Sequence, residues 1–343
     1  FLTKGLKYCE SKAEFHSMLA MEYLFLDSYT MAKEHFIKCI NEDPRDTHAL
    51  YNIIYCFESM EQPDGAIEFL NEFLEADPFN EIAWHQLGRQ YASKGLLKQA
   101  LSSYDFAIIC DNEFIGAYFE MGKTLQKMKR YNEAILAFET TLSIDEPTAF
   151  ALLHIGLCHI ELGNTKLAIQ YFKKTLNEDP LYDKAWVALI DAYRDNKDYE
   201  KALYYAKKSI QIDNVNATTW KKYAEINFTL GFFEEADLGF EECINLGNYE
   251  VDTWVKWADA LKEMHDYSRA IEVLQHGLEF HAESSVINFR LGGIYLLTSQ
   301  SLEARFYLKN AYKADEKQLN HFYETFPQFK SSSFVKQSLS LKV

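Results

Sequence analysis

Ten histidines, six cysteines and 51 acidic residues run through the 343 residues, yet no spacing among them assembles a reaction centre. His154 and His159 stand five apart, off the i, i+4 face that a helical metal site uses. The pairs Glu234–Glu235 and Glu241–Glu242 are charge neighbours on a helix surface, without the apolar pocket that would raise a catalytic carboxyl. No phosphate-binding loop, HExxH or GxSxG pattern occurs. The cysteines form no CxxC pair; Cys39 and Cys243 share one repeat position, Cys56 and Cys158 another, as small core residues in a reducing compartment would. The reading is a non-enzyme that needs no cofactor or metal.

Recognition chemistry is what remains. Tyr51, Asn52 and Tyr55, then His85 and Arg89, then Phe119, Lys123 and Lys127 interleave aromatic rings with positive charge. Phe150, Leu153 and Leu157 continue the series with apolar character. Rings supply contact area, while Arg89 and Lys123 hold carboxylates or backbone carbonyls. In an acidic chain this patch suits an extended, partly acidic peptide.

What must position these residues is a repeat. Ala32, Ala66, Ala100, Ala134, Ala168, Ala202, Ala236, Ala270 and Ala304 recur every 34 residues. Trp84, Trp186, Trp220 and Trp254 keep the same register, as do Gly88, Gly122, Gly156 and Gly292 four residues on. Such a period means stacked copies of one small unit rather than one closed globule. Nine units fill 13–318 without insertion or deletion.

Within a unit, Trp84, Leu87, Gly88 and Tyr91 form the i, i+3, i+4, i+7 stripe of a first amphipathic helix. Gly95 supplies the left-handed residue that ends it. Ala100, Tyr104 and Ala107 mark a second helix, and Asp111 is placed to cap the next one. Pro63 fits the first turn of a helix. Gly88 and Ala100 leave the helix crossing free of bulk, with Trp84 and Tyr91 filling the gaps beside it. Ala168→Leu should therefore overpack a crossing and cost about 1–3 kcal/mol, read as a lowered melting curve.

Trp, Leu-Gly, Tyr, Ala, Phe/Tyr, Ala and Pro in a 34-residue period resemble the tetratricopeptide repeat. The phrases GNYEVDTWVKWADAL and LYNIIYCFESMEQPDGAIEFLNEFL also resemble repeat proteins of Bacteroidetes-type bacteria. The family resemblance implies an all-α fold, an α-solenoid of antiparallel helix pairs in a right-handed superhelix whose first helices line a concave groove. It also implies a protein or peptide partner. Chaperone-binding members carry a two-carboxylate clamp, with Lys and Asn on one first helix, Asn on the next, and Lys and Arg on the third. Asn52 matches the middle Asn, but Ser17 and Met21 stand before it and Ile82 and Gln86 after it. Chaperone EEVD-type tails are disfavoured.

Three units depart from the pattern: Ile190 takes the small position with Ala206 in an aromatic one, Trp257 stands for Leu with Gly277 after it, and Asn288 replaces the bulky anchor. Farther along, Asp191, Arg194, Lys221, Glu225, Lys256, Asp259 and Lys262 alternate in sign and suggest i, i+4 pairs within helices, Lys221 with Glu225 among them. Net charge is −16, without a basic stripe, which argues against nucleic acid. No apolar run reaches the length of a membrane span, so no direct membrane insertion is expected and a cytoplasmic setting follows. The chain opens on Phe1, and residues 1–12 align with the end of a preceding, truncated repeat that could have carried a targeting signal. Residues 319–343 leave the pattern, NHFYETFPQF as a capping helix stopped at Pro327 and the remainder as a mobile tail.

Overall fold

The computed structural model describes residues 12–145 and 148–339, so the segment 1–11, with Cys9, lies outside the described residues. Among the described residues the chain is all α-helical, with no strand. Two compact units divide it, residues 1–168 and 169–343.

In the first unit, α1 (Lys12–Phe25), α3 (Thr47–Ser59), α5 (Glu81–Ser93), α7 (Ile115–Lys127) and α9 (Ala149–Glu161) are the first, or A, helices of successive repeats. Their B partners are α2 (Tyr29–Glu42), α4 (Pro63–Ala76), α6 (Leu97–Cys110) and α8 (Tyr131–Ile144). The second unit begins within the B-helix α10 (Thr165–Glu178). It continues through α11 (Asp183–Asp195), α12 (Tyr199–Ile212), α13 (Ala217–Leu230), α14 (Phe233–Asn245), α15 (Val251–Glu263), α16 (Tyr267–Phe280), α17 (Ser285–Leu297) and α18 (Ser301–Ala314). In each unit a helix packs on its sequence neighbour, and A-helices also touch the next A-helix, the arrangement of an α-solenoid.

All nine ladder alanines are fully buried. The space at Gly88, however, is filled by a ring and not left for the alanine. A Cβ on Gly88 would lie 2.4 Å from Tyr104, one on Gly122 2.7 Å from Phe138, and one on Gly292 2.8 Å from Leu308. The departing repeat keeps the same arithmetic with the sizes exchanged: Ile190 on the A-helix and Ala206 on the B-helix are both fully buried. Gly277 is likewise forced, since a Cβ there would stand 3.0 Å from Trp254.

The interhelical turn is left-handed in every repeat. Gly95, Gly163 and Gly231 have φ of 75°, 75° and 81°, but Asp27, Glu61, Lys129, Lys197, His265 and Ser299 take φ of 52–61° at the equivalent position. Only glycine announces that conformation in a sequence. Asp43, Asp111, Asp179 and Asp213, which close the B-helices, do not cap the next A-helix but accept from the backbone N–H two residues on; Asp315 makes the same bond and caps the 3-10 turn Glu316–Gln318. The A-helix caps are Asp46, Asn80, Thr148, Asn216 and Ser284, three residues later in the repeat. Trp84, Trp186 and Trp220 donate their indole N–H to Pro78, Pro180 and Asn214 carbonyls, pinning the loop before each repeat.

Cys39, Cys56, Cys158 and Cys243 are buried free thiols. Burial pushes the first three up to about 11 and Cys243 up to about 12, which leaves them as small inert core residues.

Beyond the last repeat, α19 (Leu319–Thr325) ends before Pro327, which starts a short 3-10 turn. The tail is corrected: Ser333–Ser338 forms α20, and Val335 and Leu339 are buried against the second unit's core. Phe334 packs there as well, so three apolar side chains fix an otherwise polar stretch. Residues 340–343 lie outside the described residues.

Candidate functional site

On the A-helix face of the first unit the structure separates the residues the sequence grouped. Tyr51 and Tyr55, one turn apart on α3, are 41% and 51% exposed. The same face of α1 adds Met18, Met21 and Phe25 at 58%, 53% and 87%. These three share repeat positions with Asn52, Tyr55 and Ser59, so extending the register one unit back reveals them. Asn52 is half-buried, and its amide donates to the His48 carbonyl at 2.9 Å.

Arg89 is half-buried, with its guanidinium 3.0 Å from Gln86 Oε1 and 3.6 Å from Glu58 on the neighbouring A-helix. Lys123 donates to Glu120 at 2.8 Å and stands 5.7 Å from the Phe119 ring centre. Both pairs remain partly open to water, where an ion pair contributes about 0–1 kcal/mol and exchanges readily for a ligand carboxylate. Lys127 is exposed.

His85 and Leu153 belong to the packing and not to the surface. His85 is 8% exposed, enclosed between Tyr104 at 6.1 Å and the edge of Phe114 at 5.2 Å. Burial, and secondarily the Arg89 charge, lowers its pKa to about 4, so the imidazole is neutral near pH 7. Phe114 occupies the N-cap position that Asp46, Asn80, Thr148, Asn216 and Ser284 fill in other repeats, and its ring edge meets the histidine. Leu153 is 2% exposed, and Leu157 is half-buried. Phe119, Phe150 and His154 stack in a closed run, each 4.3 Å from the next, with Phe138 5.3 Å from His154. Gln126 bridges His154 through its Nδ1 at 2.7 Å and its carbonyl at 3.2 Å.

The second unit carries a different A-helix face. The alternating charges pair both within helices, as Asp191 does with Arg194 at 2.9 Å, and between consecutive A-helices. Asp191 meets Lys222 at 2.8 Å, Glu225 meets Lys256 at 2.7 Å, and Asp259 meets Arg290 at 3.1 Å. Each pair joins the same two repeat positions on consecutive A-helices, 31 residues apart. Lys221 turns to Glu250 at 2.6 Å and Asp252 at 3.3 Å, correcting the expected Glu225 pairing. An i, i+4 pair does occur at Asp252–Lys256. Cation and carboxylate thus answer one another along this face.

Among the described residues, no group of three or more His, Cys, Asp or Glu could hold a metal ion. Near the start, His16 and His35 bring their Nδ1 atoms within 2.8 Å in the core, and burial followed by the Lys38 charge lowers both pKa values. No helix among the described residues is long and apolar enough to cross a membrane.

Three family models described as tetratricopeptide repeat match residues 48–80 and 150–181, 13–46 and 115–148, and 168–217. Over 122 residues the chain is 30% identical to Superkiller complex protein 3 of Mus musculus, covering 34% of this chain and 8% of that protein. Over 162 residues it is 22% identical to the probable UDP-N-acetylglucosamine--peptide N-acetylglucosaminyltransferase SPINDLY of Hordeum vulgare, 45% of this chain and 17% of that one. The chain therefore spans a small fraction of the length of these curated relatives. Among solved structures, a tetratricopeptide repeat protein from Parabacteroides merdae superposes with a TM-score of 0.51 at 16% identity. That match covers 73% of this chain and 98% of the other, a likeness of fold alone.

Proposed function

Because this chain is built of tetratricopeptide repeats, we propose that it is a non-enzymatic adaptor that holds an extended peptide or partner helix on the A-helix face of its first unit. One contrast carries the reading. The first unit leaves Met18, Met21, Phe25, Tyr51 and Tyr55 exposed on that face, whereas the second unit lines its own with mutually paired charges. Large apolar and aromatic side chains gathered on one surface are what a partner buries. Arg89, Lys123 and Lys127 lie farther along the same face and favour a partner segment whose next residues are acidic. A cytoplasmic setting agrees with the free thiols, and the net charge of −16 disfavours nucleic acid.

Arg89→Glu with Lys123→Glu should abolish capture of native partners from a source-organism lysate, read by mass spectrometry, while the circular dichroism spectrum stays unchanged. Undiminished capture would move the site elsewhere.

A second reading makes the chain a regulatory or targeting part of a larger enzyme or secretion-related assembly. The alignment to a small part of a probable transferase favours it. A reading frame that joins this chain to a catalytic domain would decide for it.

A further inference from the structure

We propose that the second unit has a separate docking surface on its B-helices, built for an extended acidic segment of a partner protein. The group Tyr171-Phe172-Lys173-Lys174 on α10 returns 34 residues later as Tyr205-Ala206-Lys207-Lys208 on α12. Two neighbouring B-helices thus carry the same Tyr-x-Lys-Lys group in register. Lys173 joins them, its ammonium 5.7 Å from the Tyr193 ring centre and 5.4 Å from that of Tyr205, which stack on each other at 5.3 Å. Lys174 stands 4.9 Å from Tyr171, Lys201 5.6 Å from Tyr193, and Lys208 5.9 Å from Trp186.

A ring face orders an ammonium without cancelling its charge. Among the described residues, Lys201 is paired with Asp198, but no carboxylate lies within ion-pair distance of Lys173, Lys174, Lys207 or Lys208. Lys174, Lys207 and Lys208 are exposed, as is Tyr204 beside them. From Ile169 onward, α10 and α12 carry five lysines against two glutamates. In a chain of net charge −16 this is a positive island in which, among the described residues, four of the five lysines have no carboxylate within ion-pair distance.

The dimensions choose the occupant. The next B-helix, α14, carries Glu234, Glu235, Asp237, Glu241 and Glu242 and no base. A long polyanion laid over the lysines would run onto these acids, so a short protein segment fits where nucleic acid does not. Lys173 of α10 already reaches the Tyr205 ring of α12 at 5.4 Å, and an extended chain advances about 3.3–3.6 Å per residue, so a few residues of a partner segment span the two lysine pairs. The pattern recognised is acidic residues separated by short intervals, with an aromatic residue between them to rest on the exposed Tyr204.

The test uses the full chain and a fluorescein-labelled peptide of repeated Glu-Glu-Tyr, followed by fluorescence anisotropy at low salt. Lys174→Glu with Lys207→Glu and Lys208→Glu should weaken binding at least about tenfold, about 1.4 kcal/mol. The corresponding triple Gln variant should weaken it less, with both variants melting as the wild type does. Arg89→Glu with Lys123→Glu should bind the probe normally, which keeps this surface distinct from the first unit's face. The proposal is overturned if the wild type ignores the peptide or the triple Glu variant binds it undiminished. It is overturned equally if only the Arg89/Lys123 variant loses it, or if single-stranded RNA binds the lysines more tightly than the peptide does.

Discussion

Arg290→Met is expected to cost the fold about 3–5 kcal/mol, because it strands Asp259 without its partner in a site closed to water. The two side chains are only 6% and 16% exposed, and the guanidinium Nε meets both carboxylate oxygens at 3.1 and 3.2 Å. Burial raises the Asp259 pKa, and Arg290 opposes that shift. The sign of the pH effect follows. A carboxyl that titrates higher when folded binds more protons in the native state, so its contribution to stability is lost as pH rises through the folded pKa. Without Arg290 the shift grows, and the deficit measured by urea unfolding should be larger at neutral pH than in mild acid. Asp259→Leu combined with Arg290→Met should recover most of the loss, since an apolar pair of similar volume replaces two buried charges. A deficit independent of pH would mean that Asp259 is not the stranded charge.

Phe326→Ala should be comparably damaging, about 3–5 kcal/mol, and its effect should stay local. Phe326 is 1% exposed and lies where a Cβ on Gly293 would be, 2.2 Å away. With Phe322, itself 5.5 Å from Phe289, it closes the apolar end of the last repeat. A stack depends on such an end, because the terminal repeat has no neighbour to bury it. Hydrogen exchange should accelerate first in α17 and α18 and only weakly in α11. Uniform acceleration across the second unit would show that the cap is not what holds the end.

The repeat was legible because it lives in residue size at fixed positions. Nine alanines marked nine buried sites, and the Ile190/Ala206 exchange could have been read as one complementary swap. Conformation without a residue signature was not legible: six left-handed turns carry Asp, Glu, Lys, His or Ser. Asp111 offered the right acceptor but to a nearer N–H, since the cap falls three residues on. Within-helix spacing finds Asp252–Lys256, but the pairs between consecutive A-helices, 31 residues apart, have no signature in a single helix. His85 stands at a variable position of a first helix, which points to the groove, and the Phe114 ring next to it shows why it is buried instead. Overall acidity masks the B-helix lysines, a local positive island in a chain of net charge −16.

Site-specific photo-crosslinking in the source organism tests the adaptor reading most directly, with a photoreactive phenylalanine placed at Tyr55, at Lys127 and, for contrast, at Lys222. The account predicts that Tyr55 and Lys127 trap one and the same partner chain while Lys222 traps none. A partner trapped at Lys222 with Tyr55 and Lys127 silent would contradict it.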